Sequence, residues 1–302
     1  DSGTIPSKTF REAAITFSRA RADGNGGRRP EFRPTADQLM ARVDSVVRSE
    51  GAVVDEQIWR NGVVVIQGEG QFQDPHTVVV RSDGAARTVT ADNVLIAVGT
   101  RPAPPVGVAA DGEVVFTSDD IMHLKNLPRT MVVVGGGPIG IEFASIFSTL
   151  SITVTVVEKR DRPLGFLDRE ILDELVHQMR SRKVTFRMGE AVESVEVSED
   201  PPRQAVILLE SGKRIVTDMV LFSVGRISET DKLNLKAAGL TADGRGRLTV
   251  DEHFRTEVNH IFAAGDVIGY PALASTSSEQ GRLASCHAFG VPVGKMASHF
   301  PI

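Results

Sequence analysis

The sequence predicts an α/β chain built around a dinucleotide-binding strand–turn–helix unit, and three observations predict it. An apolar run at 131–134 leads straight into Gly135-x-Gly137-x-x-Gly140. A helix-compatible apolar pattern follows to Phe147, with Pro138 and Ile139 at its start. A second apolar run, 152–157, closes on Glu158, 18 residues past Gly140. This is the order that a dinucleotide site requires. Gly135 permits the tight turn, Gly137 lets a pyrophosphate approach the backbone, and Gly140 lets helix and strand pack closely. The helix start offers free N–H groups and a positive dipole end to the phosphates. Glu158 stands where a carboxylate accepts from ribose hydroxyls. The basic residues beside it, Lys159 and Arg160, suit a 2′-phosphate, so the triplet accommodates either nucleotide.

Composition bounds the rest. The 302 residues suffice for two domains with sizeable cores. Hydrophobic and charged fractions of 41% and 24% are those of a globular protein. The net charge is −5 with no basic block, which argues against nucleic acid as a partner. No uninterrupted apolar run reaches the length of a membrane span, and the opening residues lack the pattern of a signal peptide. One cysteine, Cys286, cannot form an internal disulfide, which fits a cytoplasmic setting. No spacing of His, Cys and acids suggests a metal site.

In chain order, the first predicted element is a helix from 3–8 onward, with Pro6 in its first turn and a stripe of Phe10, Ala13, Ala14 and Phe17. A polar glycine-rich loop follows at 23–29. Thr35 and Gln38 form a capping box for a long helix with Leu39, Val43, Val46 and Val47 on one face. Strands are expected at 63–66, 77–81 and 94–98, the last ending at Gly99. The proline-rich stretch 101–108 reads as a domain crossing. After the glycine unit come a helix from Leu167 to about Lys183 and β-runs at 184–187, 192–197, 205–209 and 220–224, closed by Gly225-Arg226. The run 261–264 ends in Gly265-Asp266, and a helix is expected from Ser275 to about Phe289.

Five stretches, in this order and separation, carry a resemblance: Ile5-Pro6-Ser7-Lys8, Ala97-Val98-Gly99-Thr100-Arg101-Pro102, the glycine fingerprint with Glu142, Val224-Gly225-Arg226, and Ala264-Gly265-Asp266. Along nearly its whole length the chain resembles the pyridine nucleotide–disulfide oxidoreductases, two-dinucleotide flavoproteins. The resemblance implies two Rossmann-like three-layer domains, the NAD(P) domain inserted into the FAD domain. It implies 1–112 and 246–302 as FAD-binding segments and 113–245 as the NAD(P)-binding domain. It also implies a first glycine fingerprint before Asp1 and a dimerisation domain after Ile302, so that the sequence reads as an internal fragment of a homo-oligomeric protein.

The same resemblance implies roles for single residues. Lys8, Ala97, Gly99, Gly265, Asp266, Leu273 and Ala274 are expected at FAD. Gly135, Gly137, Pro138, Ile139, Gly140, Glu142, Glu158, Lys159, Arg160, Val192 and Gly225 are expected at NAD(P). Lys8 and Glu142 are expected as a pair beside the flavin, where an ammonium stabilises negative charge on the reduced ring. Thr4 occupies the place of the second redox cysteine, and a hydroxyl has no thiol–disulfide couple. Together with 160–168 and 265–275, Thr4 points to the transhydrogenase branch, with FAD as cofactor and NAD and NADP as substrates. Two other readings stay open: a disulfide reductase of the lipoamide dehydrogenase kind, and a non-catalytic nucleotide-binding module.

Overall fold

A computed structural model of the chain describes residues 3–22 and 34–294, and the loop expected at 23–29 lies outside them. Helices α1 (Thr4–Ala22) and α2 (Ala36–Arg60) come first, then strands β1 (Glu69–Asp74), β2 (Thr77–Ser82), β3 (Ala85–Thr90), β4 (Val94–Ile96), β5 (Thr100–Pro102) and β6 (Val115–Thr117). Next, β7 (Thr130–Val134), α3 (Pro138–Thr149), β8 (Thr153–Glu158), α4 (Arg169–Ser181) and β9 (Val184–Met188) alternate. The chain continues through β10 (Val192–Val197), β11 (Ala205–Leu209), β12 (Arg214–Thr217), β13 (Met219–Phe222), β14 (Arg226–Ser228), β15 (Ile261–Ala263) and α5 (Ala274–Ala288). Packing divides these elements into two units: one runs to Gln57 and resumes over Pro102–Gly225, the other takes Ile58–Arg101 and everything from Arg226. The sequence-based bounds at 112 and 245 differ from this division chiefly at the N-terminal side. The apolar residues of α1 and the first half of α2 belong to the same buried cluster as α3.

In the first unit, five parallel strands run in the order β6-β13-β7-β8-β9. Such a sheet must bury both faces, and its strands accordingly read as continuous apolar runs. Alternation then sorts them. Met131, Val133, Val154 and Val156 face one cluster with α1, α3 and α4. Val132, Val134, Val157 and Val220 face the other, with Val195, Ile207 and Leu209 of the antiparallel sheet β10–β11–β12. The result is three layers: helices, parallel sheet, antiparallel sheet. Phe10 of α1 and Phe147 of α3, both fully buried, meet edge to face with ring centroids 5.7 Å apart.

Local chemistry sets the helix starts. Gln38 N–H donates to Thr35 Oγ1 at 3.2 Å, and Thr35 N–H to Gln38 Oε1 at 3.1 Å, the reciprocal capping box that the sequence predicts. Asp168 caps α4 by accepting from Glu170 N–H at 2.9 Å, which starts that helix at Arg169.

In the second unit, β1–β2–β3 form an antiparallel meander, β4 pairs in parallel with β15, and Phe72, Ile96, Leu240, Leu248 and Ile261 form the core. Residues 63–66, expected as a strand, form no regular element, and Val63, Val64 and Val65 are exposed. Their β-branched composition favours a sheet, but no strand among the described residues pairs with them. Conversely, β1 and β3 were not legible as strands because their residues are largely polar.

Replacing Phe147 with alanine removes one ring of the buried pair, and a loss of about 3–5 kcal/mol is expected. It reads as a lower urea midpoint of the helical circular-dichroism signal.

Candidate nucleotide-binding site

The glycine turn sits between the C-terminal end of β7 and the start of α3, and each glycine answers a different steric demand. Gly135 has φ +108°, and a Cβ there would lie 2.5 Å from the Ser223 carbonyl oxygen. At Gly140 a Cβ would lie 2.5 Å from Ser223 Oγ and closer still to the Gly135 carbonyl oxygen. Gly137 is the opposite case: nothing lies within 4 Å of its would-be Cβ. Two glycines are thus absorbed by internal packing, and the third leaves open space beside the backbone. Gly137 is also the N-cap of α3, and no side chain caps the helix. Pro138, exposed, occupies the first turn, and Ile139 packs partly buried against the core. A helix start with no side-chain cap, and open space beside Gly137, fit a bound pyrophosphate.

Ser223 holds the turn from the neighbouring strand. It follows β13 directly, and its Oγ lies 3.1 Å from the Val134 carbonyl oxygen and 3.0 Å from that of Gly135. Its own N–H donates to the Val134 carbonyl at 2.8 Å. Sequence reasoning passed over this residue, although a hydroxyl inside the apolar run 220–224 was a usable signal. Gly225, two residues on, has φ +127° and open space around it.

Glu158 ends β8 and is buried. One carboxylate oxygen accepts from Gly136 N–H at 2.6 Å and from Arg160 Nη2 at 2.8 Å; the other accepts from Arg160 N–H at 2.9 Å and Nε at 3.0 Å. Burial pushes this carboxyl up, but the Arg160 guanidinium, with the N–H groups of Arg160 and Gly136, outweighs it and holds the group at about 2. The same contact raises the Arg160 pKa. Both oxygens of the expected ribose acceptor are therefore engaged with protein donors. Lys159 beside them is exposed. Gly189 N–H and Glu190 N–H donate to the carbonyls of Arg160 and Glu158, at 2.9 and 3.1 Å, so the chain leading to Val192 borders this corner.

On the far side of α3's first turn, Glu142 Oε1 accepts from Lys8 Nζ of α1 at 2.6 Å. Lys8 is 59% exposed and Glu142 25%, so the pair is accessible to a ligand. Thr4 is the first residue of α1, one turn before Lys8.

The second unit gathers another group. A cavity of about 230 Å³ is lined by Ala97, Gly99, Gly265 and Asp266, with Ser277 and Gly281 of α5. Gly99 and Gly265 both have positive φ, +68° and +81°. Buried Gln280 accepts from Gly265 N–H at 2.8 Å and fixes the loop. Leu273 is the N-cap of α5 and Ala274 its first residue, with no side-chain cap. Gln280 also escaped sequence reasoning; with Thr276 it forms a buried polar pair at helical spacing, a pattern that an apolar-periodicity search does not register. Among the described residues, no group of three or more His, Cys, Asp or Glu could hold a metal ion, and no helix is long and apolar enough to cross a membrane.

The chain is similar to known proteins. The family model described as pyridine nucleotide-disulphide oxidoreductase matches residues 2–281. A soluble pyridine nucleotide transhydrogenase of Mycobacterium tuberculosis is 50% identical over the whole chain, which spans 65% of that relative's length. One from Colwellia psychrerythraea is 39% identical over 94% of the chain and 60% of its own length. The crystal structure of LpdA from Mycobacterium tuberculosis superposes with a TM-score of 0.87 at 29% identity, covering 97% of this chain and 64% of that one. The chain therefore spans less than two thirds of the length of each of these three relatives.

Two outcomes follow from the turn and its acid. Gly140→Ala forces a Cβ onto backbone and is expected to cost about 1–3 kcal/mol, whereas Gly137→Ala is expected to stay within about 0.5 kcal/mol of the parent, both read from thermal melting. The Glu158 carboxylate contributes stability that is fully present above the ordinary value of 4.5 and is lost as pH falls towards about 2. Glu158→Gln should accordingly flatten the acid limb of the stability–pH curve between those values, measured by urea unfolding at stepped pH.

Proposed function

The chain belongs to the pyridine nucleotide-disulphide oxidoreductase family, and from that premise we propose that it is the larger part of an FAD-dependent transhydrogenase. The reaction is NADPH + NAD⁺ ⇌ NADP⁺ + NADH, without a redox disulfide. The observation that carries the reading is Thr4. It opens α1 one turn before the Lys8–Glu142 pair, and it places a hydroxyl where a dithiol relay needs a thiol. The names of the 50% and 39% identical relatives support the same activity.

The residues divide the work. The Gly135–Gly140 turn binds the pyrophosphate of each nucleotide against the uncapped start of α3. Because both nucleotides share that turn, they occupy it in succession. Glu158 accepts the ribose hydroxyls of NAD, and Arg160, released from Glu158, pairs with the 2′-phosphate of NADP, with Lys159 adding positive charge. Val192 and Gly225 border the nucleotide as it leaves the turn. Ala97, Gly99, Gly265 and Asp266 hold FAD, with the uncapped start of α5 at Leu273 and Ala274. When bound, FAD supplies a carrier for the hydride's two electrons. Lys8 keeps a fixed positive charge where negative charge develops, and Glu142 holds that ammonium in place. The boundaries 1–112, 113–245 and 246–302 are the domain assignment that goes with this reading. So are a homo-oligomeric state and a cytoplasmic location.

The test uses the full-length protein. Reduced with NADPH, it should reduce a spectroscopically distinct NAD⁺ analogue; failure to do so, or robust lipoamide-dependent NADH oxidation, overturns the reading. Lys8→Met is expected to slow the reaction by about 100-fold. Gly137→Ala should weaken NADPH binding by about tenfold or more while the protein stays folded.

A further inference from the structure

The helix that carries the glycine turn has a second feature at its other end. A cavity of about 690 Å³ lies between α1, the last turn of α3, the start of β8 and the segment after α4. That volume falls within the range of small-molecule sites. It lies roughly 15 Å along α3 from the nucleotide turn, at 1.5 Å per residue.

The cavity's chemistry is one-sided. Arg11, Arg19, Arg182 and Lys183 line it, and among the described residues no carboxylate does. Arg11 shares its charge with Glu12 at 3.3 Å on the exposed surface, a contact that water screens. The cations lie on two separate elements, so the site gathers positive charge from both sides. Part of that charge complements the C-terminal ends of α3 and α4, but two helix ends do not require a cavity of this size.

The hydroxyls narrow the ligand further. Ser148 and Thr149 each donate to the Ser145 carbonyl, at 2.8 and 2.9 Å, and Ser181 donates to the Gln178 carbonyl at 2.7 Å. With its single proton committed, each oxygen can only accept further bonds. A ligand that uses these three oxygens brings hydrogen-bond donors as well as negative charge; Thr149 Oγ1 also accepts from Arg182 Nη1 at 3.5 Å, and Ser18, Ser145, Ser151 and Thr153 add further hydroxyls to the lining. A polycarboxylate brings charge with few donors. A nucleotide brings a base, and among the described residues the lining contains no aromatic side chain on which a base could stack. We infer that this cleft is a binding site for a small phosphorylated polyol, with the phosphate on the arginines and the ligand hydroxyls donating to Ser148, Thr149 and Ser181.

The experiment is calorimetric titration of the full-length protein at fixed moderate salt, with glucose 6-phosphate, inorganic phosphate, citrate and sorbitol as probes. Glucose 6-phosphate is expected to bind once per chain, at least tenfold tighter than phosphate or citrate, with sorbitol silent and saturating NADPH without effect. An R19S/R182S variant should lose at least tenfold in that affinity while keeping the parent's NADPH affinity, which shows it folded. Hydrogen–deuterium exchange on the unaltered protein locates the site independently of any variant: glucose 6-phosphate should protect amides at 145–153 and 181–183. No preference for glucose 6-phosphate, displacement by NADPH, an undiminished affinity in a folded variant, or protection confined to 135–140 each overturns the proposal.

Discussion

The first unit depends on one close approach. Helix α3 comes so near to the end of β7 that only hydrogen fits at Gly140, and the Ser223 hydroxyl, offered from β13, lies within reach of the two carbonyls on either side of the bend. Three chain segments therefore share one small volume with no room for a methyl group. That packing aims the first turn of α3 outward and leaves its N–H groups uncapped. It also sets where β8 delivers Glu158, because β7 and β8 are adjacent in the sheet. The candidate nucleotide corner is thus a by-product of helix–sheet packing, and the open glycine of its fingerprint, Gly137, is the position that packing does not use.

How much of this was legible depends on how local the cause was. The turn, the Thr35–Gln38 box and the helix stripes at Phe10, Ala13 and Leu39 are written in short-range spacing, and the structure contains them. The acid at 158 was legible as a position, but its occupancy was not. That a neighbour two residues away closes over both oxygens depends on a side-chain rotamer and on a backbone donor, Gly136, brought from 22 positions earlier. Ser223 and Gln280 lie outside any spacing rule because their partners are fixed by strand order and loop shape. Residues 63–66 show the reverse failure: the composition says strand, but a ladder needs a second strand, and none of the described residues supplies it. The antiparallel sheet β10–β12 was visible as runs, yet its role as the third layer became clear only from the alternation of β7.

Charge is distributed along α3 in a way that the sequence alone does not display. Its first turn meets a carboxylate–ammonium pair, Glu142 with Lys8, while its last turn faces a cluster of cations. The helix dipole favours anions at the first end and cations at the second. Pairing an ammonium with Glu142 neutralises the carboxylate without blocking the open N–H groups before it. The two ends can therefore hold different ligands with little electrostatic interference, since roughly 15 Å of separation exceeds the screening length of about 8 Å at physiological salt.

Under the proposed function, the closed pair of Glu158 and Arg160 would have a kinetic meaning for a site that two nucleotides share. A nucleotide arriving at that corner exchanges with a partner already in place, so part of its gross interaction energy is spent on displacement. In that reading NAD would take the carboxylate from the guanidinium, and NADP would take the guanidinium from the carboxylate; the toll would fall on both. Resident and newcomer would be weakened alike, which would shorten residence time and leave neither nucleotide in possession of the site. In the proposed alternating occupancy, a bound product that lingers is an inhibitor, and this built-in rival would hasten its departure.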